Sequence, residues 1–104
     1  MADRPGAAEP AMRLDRFLWF ARLVRTRALA QELATEGRLR LDGRVIDRAA
    51  APVRVGNILT FVQRGQVRIL RIETLPVRRG PAPEARGCYA ELTTGDDVAK
   101  QPTN

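Results

Sequence analysis

The chain has 104 residues, with 18 Lys and Arg against 12 Asp and Glu for a formal net charge of +6. That length holds one domain with a modest core and leaves no room for a separate catalytic domain, because short chains bury a smaller share of their surface on folding. One cysteine and no histidine exclude an internal disulfide, a Cys/His metal cluster and histidine acid–base chemistry, so neither metal nor cofactor is expected.

All the cations but Lys100 are arginine, and fifteen of them stand between Arg13 and Arg79 against six acids. A guanidinium presents a planar fork that matches phosphate, and a positive surplus gathered in the ordered part of a chain is what a polyanion-binding domain needs. The plainer alternative is a solvated arginine-rich surface. A lone cysteine fits a reducing cytoplasm. The sequence has neither an apolar run of about 18 residues nor a signal-peptide pattern, so no membrane partner is expected.

Residues 1–11 (MADRPGAAEPA) have no hydrophobic period and read as a flexible leader. Leu14, Phe17, Leu18 and Ala21 then recur at three- and four-residue spacing, which predicts one apolar helix face, with Asp15 in the favourable first turn. Trp19 and Leu23 fall four apart on another side of that helix, and Leu23 to Thr26 joins it to the next. A second helix is expected over Arg27 to Glu36, capped by Thr26 and stopped at Gly37, with Ala28, Leu29, Leu33 and Ala34 as its apolar positions.

Arg38-Leu39-Arg40-Leu41 alternates, Asp42-Gly43 supplies a two-residue turn, and Arg44-Val45-Ile46 returns, which predicts a hairpin with both leucines inward. Val53 to Val55, Ile58 to Val62 and Val67 to Leu75 read as further strands, with Gly56-Asn57 and Gln63 to Gln66 as turns. The expected fold is α+β: two N-terminal helices on a small antiparallel sheet over 12–75, then over 76–92 a basic connector (Pro76 to Pro83) and a short C-terminal helix (Glu84 to Leu92, EARGCYAEL) weakened by Gly87, then a disordered tail over 93–104.

The stretch RLDRFLWFARLVRTRALAQELATEGRLRLDGRVI, Arg13 to Ile46, resembles the RNA-binding domain first recognised in small-subunit ribosomal protein S4. R-L-D opens its first helix, T-R-A-L-A its second, E-G-R closes that helix, and the hairpin turns at D-G. LDRFLWFAR, VRTRALA and RRGPAPEA together most resemble the ribosome-associated heat-shock protein 15 group. That resemblance implies a single-domain protein that binds ribosomal RNA and the large ribosomal subunit and helps rescue subunits carrying a stalled nascent chain. Members of the group carry a longer basic C-terminal extension, whereas this chain stops at TTGDDVAKQPTN, which implies weaker subunit affinity.

Helix two begins among the basic residues, so its free amides at Arg27 and Ala28, flanked by Arg25 and Arg27, are suited to hold a phosphate. The RNA-binding set is therefore Arg13, Arg16, Arg22, Arg25, Thr26, Arg27, Arg38, Arg40 and Arg44, although Thr26 is sufficiently explained as a cap and Arg38, Arg40 and Arg44 could simply guard strand edges. Arg54, Arg64, Arg68 and Arg71 read as ordinary surface, and Arg78 and Arg79 could extend the patch. Trp19 and Phe20 are core or base-stacking platforms, and core is favoured for Trp19.

Few aromatics and much arginine point to recognition of RNA shape and phosphate, and the chain is expected to be a monomer. The alternatives are a helix-turn-helix that binds DNA, here weakly, and a tRNA- or rRNA-binding accessory of an RNA-modifying enzyme. Arg13-Leu14-Asp15 is similar to a tripeptide of some pseudouridine synthases, but no catalytic partner accompanies it, so the chain is not expected to be an enzyme.

Overall fold

Leucines and a phenylalanine on one helical face do what their spacing demands. In a computed structural model that describes residues 10–93, strand β1 (Met12–Arg13) leads into helix α1 (Leu14–Phe20), whose Leu14, Phe17 and Leu18 are fully buried. The expected leader and tail lie, but for Pro10, Ala11 and Thr93, outside the described residues.

The first helix stops at Phe20 instead of running on to Leu23. Arg22 takes a left-handed φ of 59°, and the Arg22 and Leu23 amides reach back to the Trp19 and Leu18 carbonyls at 3.1 and 2.9 Å. These two bonds form a Schellman motif, with arginine where glycine is usual. Leu23 is still buried, but from the loop.

Helix α2 (Arg27–Thr35) starts where Thr26 Oγ1 accepts the Leu29 amide at 3.0 Å, and Gly37, at φ 78°, turns the chain out after it. Its buried face differs from the expected one: Ala30 and Ala34 are fully buried and Leu33 partly, whereas Ala28 and Leu29 are exposed. Two alanines four apart let α2 lie close on α1, and that contact sets the helix's rotation.

The hairpin forms as expected, from β2 (Leu39–Leu41) and β3 (Arg44–Ile46) in antiparallel register with Leu39 opposite Ile46. Asp42 and Gly43 have φ of 51° and 86°, the paired positive values of the hairpin turn that matches strand twist. Strands β5 (Ile58–Gln63) and β6 (Gln66–Ile72) pair through a second such turn at Arg64-Gly65.

Two expectations change. Val53 to Val55 is not a strand of the main sheet: β4 (Pro52–Val53) instead pairs with β1, Met12 opposite Val53. Glu84 to Leu92 is not one helix either. Helix α3 (Ala82–Arg86) ends at Gly87, and β7 (Tyr89–Thr93) then pairs with β6, giving a five-stranded antiparallel sheet in the order β3-β2-β5-β6-β7. Glycine weakens the helix there, and β6 would otherwise present an unpaired edge.

Leu39, Leu59, Phe61, Leu70 and Ile72 share one buried cluster with the α1 residues and with Ala30 and Ala34, so the helices cover one face of the sheet.

Candidate nucleic-acid interface

The expected arginines part into three groups once the strands are pleated. Arg16, Arg25 and Arg27 sit on or beside the helices and are exposed. Among the described residues no carboxylate pairs with them. The Thr26 cap leaves the first amides of α2, on Arg27 and Ala28, outside the helix's own hydrogen bonds. Arg25 and Arg27 therefore stand beside the positive end of a nine-residue helix.

Arg40 stands between two inward leucines and so projects from the sheet face opposite the helices, next to Val45 and Thr60 of the neighbouring strands. Arg38 is exposed just before the same strand. Arg44 lies opposite Leu41 and thus on the helix-bearing face. The nine expected residues do not make one continuous surface, because residues one apart on a strand point to opposite sides.

Two arginines of the set are already engaged. The Arg13 guanidinium grips Asp15 with two bonds of 3.0 Å, and Arg22 Nε donates to the Gly80 carbonyl. Asp15 also accepts the Arg16 amide at 2.8 Å and a long 3.5 Å contact from Gln31. Burial pushes the Asp15 carboxyl up, but the Arg13 bonds and charge, with the Arg16 amide and Gln31, outweigh it and hold the group below its ordinary range.

Trp19 is half-buried rather than enclosed, and it packs against the core from outside. The guanidiniums of Arg27 and Arg79 lie over its ring, 5.1 and 5.3 Å from the centroid, and Arg79 Nε also donates to the Trp19 carbonyl at 3.1 Å. Such cation–π contacts fix long side chains that would otherwise roam. The segment around Gly80 is thereby fastened to the end of α1 by Arg22 and Arg79. No local pattern could have located Arg79 there, since its partner is 60 residues away.

Three later arginines are neutralised: Arg68 by Glu91 at 2.6 Å, Arg71 by Glu73 at 2.8 Å and Arg78 by Glu84 at 2.8 Å. Arg54, expected as plain surface, is partly buried, and Asn57 of the neighbouring turn binds both its backbone amide and Asp42.

The S4 domain family model matches residues 12–59, from β1 into β5. Heat shock protein 15 of Escherichia coli is 33% identical over 97% of this chain and 71% of its own length. The RQC P-site tRNA stabilizing factor of Halalkalibacterium halodurans is 30% identical over 86% of this chain and 98% of its own. A crystal structure of trimeric heat shock protein 15 from Vibrio cholerae superposes with a TM-score of 0.77 at 29% identity, covering 91% of this chain and 93% of that one. With the helix pair, the hairpin and the appended β7 all in place, the chain belongs to the S4-domain family that includes heat shock protein 15.

Proposed function

We propose that this chain binds structured RNA without catalysing a reaction, that its target is ribosomal RNA of the large subunit, and that it serves the rescue or recycling of stalled large subunits under heat stress. The observation that carries the reading is the pair Arg25 and Arg27, exposed and without carboxylate partners among the described residues, beside the amides that open α2, with Arg16 likewise exposed and unpaired on α1. Guanidiniums left unpaired next to a helix N-terminus are placed for phosphate oxygens. Arg38 and Arg40, across the sheet, contribute peripheral contacts in this reading.

The relatives' names support the biological part: one is a heat shock protein, the other stabilises P-site tRNA. The sequence holds no histidine. The Cys88 thiol is buried, and burial together with the Glu84 charge pushes it up, away from the thiolate a nucleophile needs. No helix of the described residues is long and apolar enough to cross a membrane, and we place the protein in the cytoplasm. The binding unit is the single chain, because Arg25, Thr26 and Arg27 adjoin in one chain; sedimentation as a trimer, the state of the Vibrio cholerae relative, would replace that unit.

Affinity for large-subunit ribosomal RNA, measured by gel shift across a salt series, should fall with a log–log slope near −4 if some five phosphates are neutralised. Duplex DNA at matched salt should bind more weakly. A salt-insensitive affinity, or preference for the duplex, overturns the proposal.

A further inference from the structure

The helix-bearing side of the sheet carries a second basic feature, at the opposite end of β5 from Arg25. Leu41, Asp42, Arg44, Ile46, Arg48 and Arg54, with Ala51, Pro52 and Asn57, line an open cleft of about 420 Å³ between the hairpin and the loop that follows it. Three guanidinium-bearing residues meet there against one carboxylate. Asp47, on the same loop, is exposed and does not line the cleft.

The carboxylate is already committed. Asp42 Oδ1 accepts the Ile58 amide and its Oδ2 accepts Asn57 Nδ2, both at 2.8 Å, so it cross-links the hairpin turn to the Gly56-Asn57 turn. Asn57 Oδ1 is likewise taken up by the Arg54 amide at 2.7 Å. Arg54 is left with a buried Nε that finds no acceptor among the described residues. A buried donor without a partner is rare in folded proteins, and an ordered water or a bound anion is what commonly supplies the acceptor.

We infer that Arg44, Arg48 and Arg54 form a phosphate-binding cleft that engages the RNA backbone at a second point. This rests on the RNA-binding reading above and adds a site to it. Arg25 and Arg64 adjoin the Gln63 end of β5, where Gln63 Nε2 holds the Leu23 carbonyl at 2.8 Å, while the cleft adjoins Ile58 at the other end. Those five residue steps span roughly 17 Å at the usual strand rise. Two phosphate sites at that separation on one side of a rigid sheet would select a folded RNA whose backbone passes both.

The test uses the full chain and a transcribed hairpin RNA of large-subunit sequence, with affinity by fluorescence anisotropy over a salt series. Arg48→Ala, at an exposed position, should weaken binding about 3-fold and reduce the salt slope by roughly one; Arg48→Ala with Arg54→Ala should weaken it about 10-fold and reduce the slope by roughly two. If Arg54→Ala unfolds the chain by circular dichroism, the Arg48→Ala slope decides.

In parallel, the Arg54 Nε–H resonance should move when the RNA is added. Movement with inorganic phosphate but not with RNA would make this a free-phosphate site and overturn the inference. Unchanged affinity and slope in folded variants, while Arg25→Ala with Arg27→Ala loses binding, sinks the cleft and leaves the RNA reading standing. Salt-insensitive binding by the unaltered chain sinks both.

Discussion

Two sets of arginines, one beside the helices and one in the second half of the chain, are used in opposite ways. Around the helices, Arg16, Arg25 and Arg27 are exposed and form no ion pair among the described residues, whereas in the second half of the chain Arg68, Arg71 and Arg78 each hold a glutamate within 2.6–2.8 Å. An exposed ion pair contributes little stability, but it cancels the field a polyanion would feel. Counting arginines therefore overstates the binding surface. What matters is which of them the fold leaves unpaired, and the glutamates that neutralise Arg78 and Arg68 come from α3 and β7.

The sharpest way to break that comparison is to remove unpaired and paired cations in parallel. Arg25→Ala with Arg27→Ala should weaken ribosomal RNA binding by roughly 30-fold with a nearly unchanged melting temperature, while Arg68→Ala with Arg71→Ala should change affinity less than about 2-fold. Equal losses from the two double variants in a titration would mean that bulk charge, not pairing, governs binding.

Next in size is a stability effect at the start of α1. Asp15→Ala removes the acceptor for the Arg13 guanidinium and the Arg16 amide, and should cost roughly 1–2 kcal/mol, seen as a drop of about 5–15 °C in melting temperature. Because the folded Asp15 carboxyl lies below its ordinary range, the stability it lends is complete above the unfolded value of about 3.9 and disappears as pH falls through the folded value. Acid titration of the variant should lack that component; identical acid limbs would refute the assignment.

The smallest expected change sharpens the contrast between the two sheet faces. Arg38→Ala with Arg40→Ala should reduce RNA affinity only about 3-fold, since Arg40 projects from the face opposite the helices. A loss as large as that of the Arg25 and Arg27 pair would move the main contact to the outer face.

Much of this was legible before any coordinates. Thr26 as the cap, Gly37 as the stop and Asp42-Gly43 as the hairpin turn each follow from short-range chemistry, and each stands where expected. The boundary of α1 was harder to read, since arginine at φ 59° gives no local signal of a helix end. The face of α2 was missed because Ala28 and Leu29 look as apolar as Ala30 and Ala34, and only the packing of one helix on another chooses between them. Likewise EARGCYAEL carries enough helix formers to read as a helix until β6 offers a partner for its second half.

The helix pair, the hairpin and the strong arginine surplus are written in the chain itself, because caps, turns and periodicity act within a few residues. Which guanidiniums stay unpaired, that Arg40 and Arg44 serve opposite faces, and that Arg79 meets Trp19 emerge only when the elements pack together. Those outcomes depend on contacts between residues far apart in the chain, and no local rule of backbone or side chain can supply them.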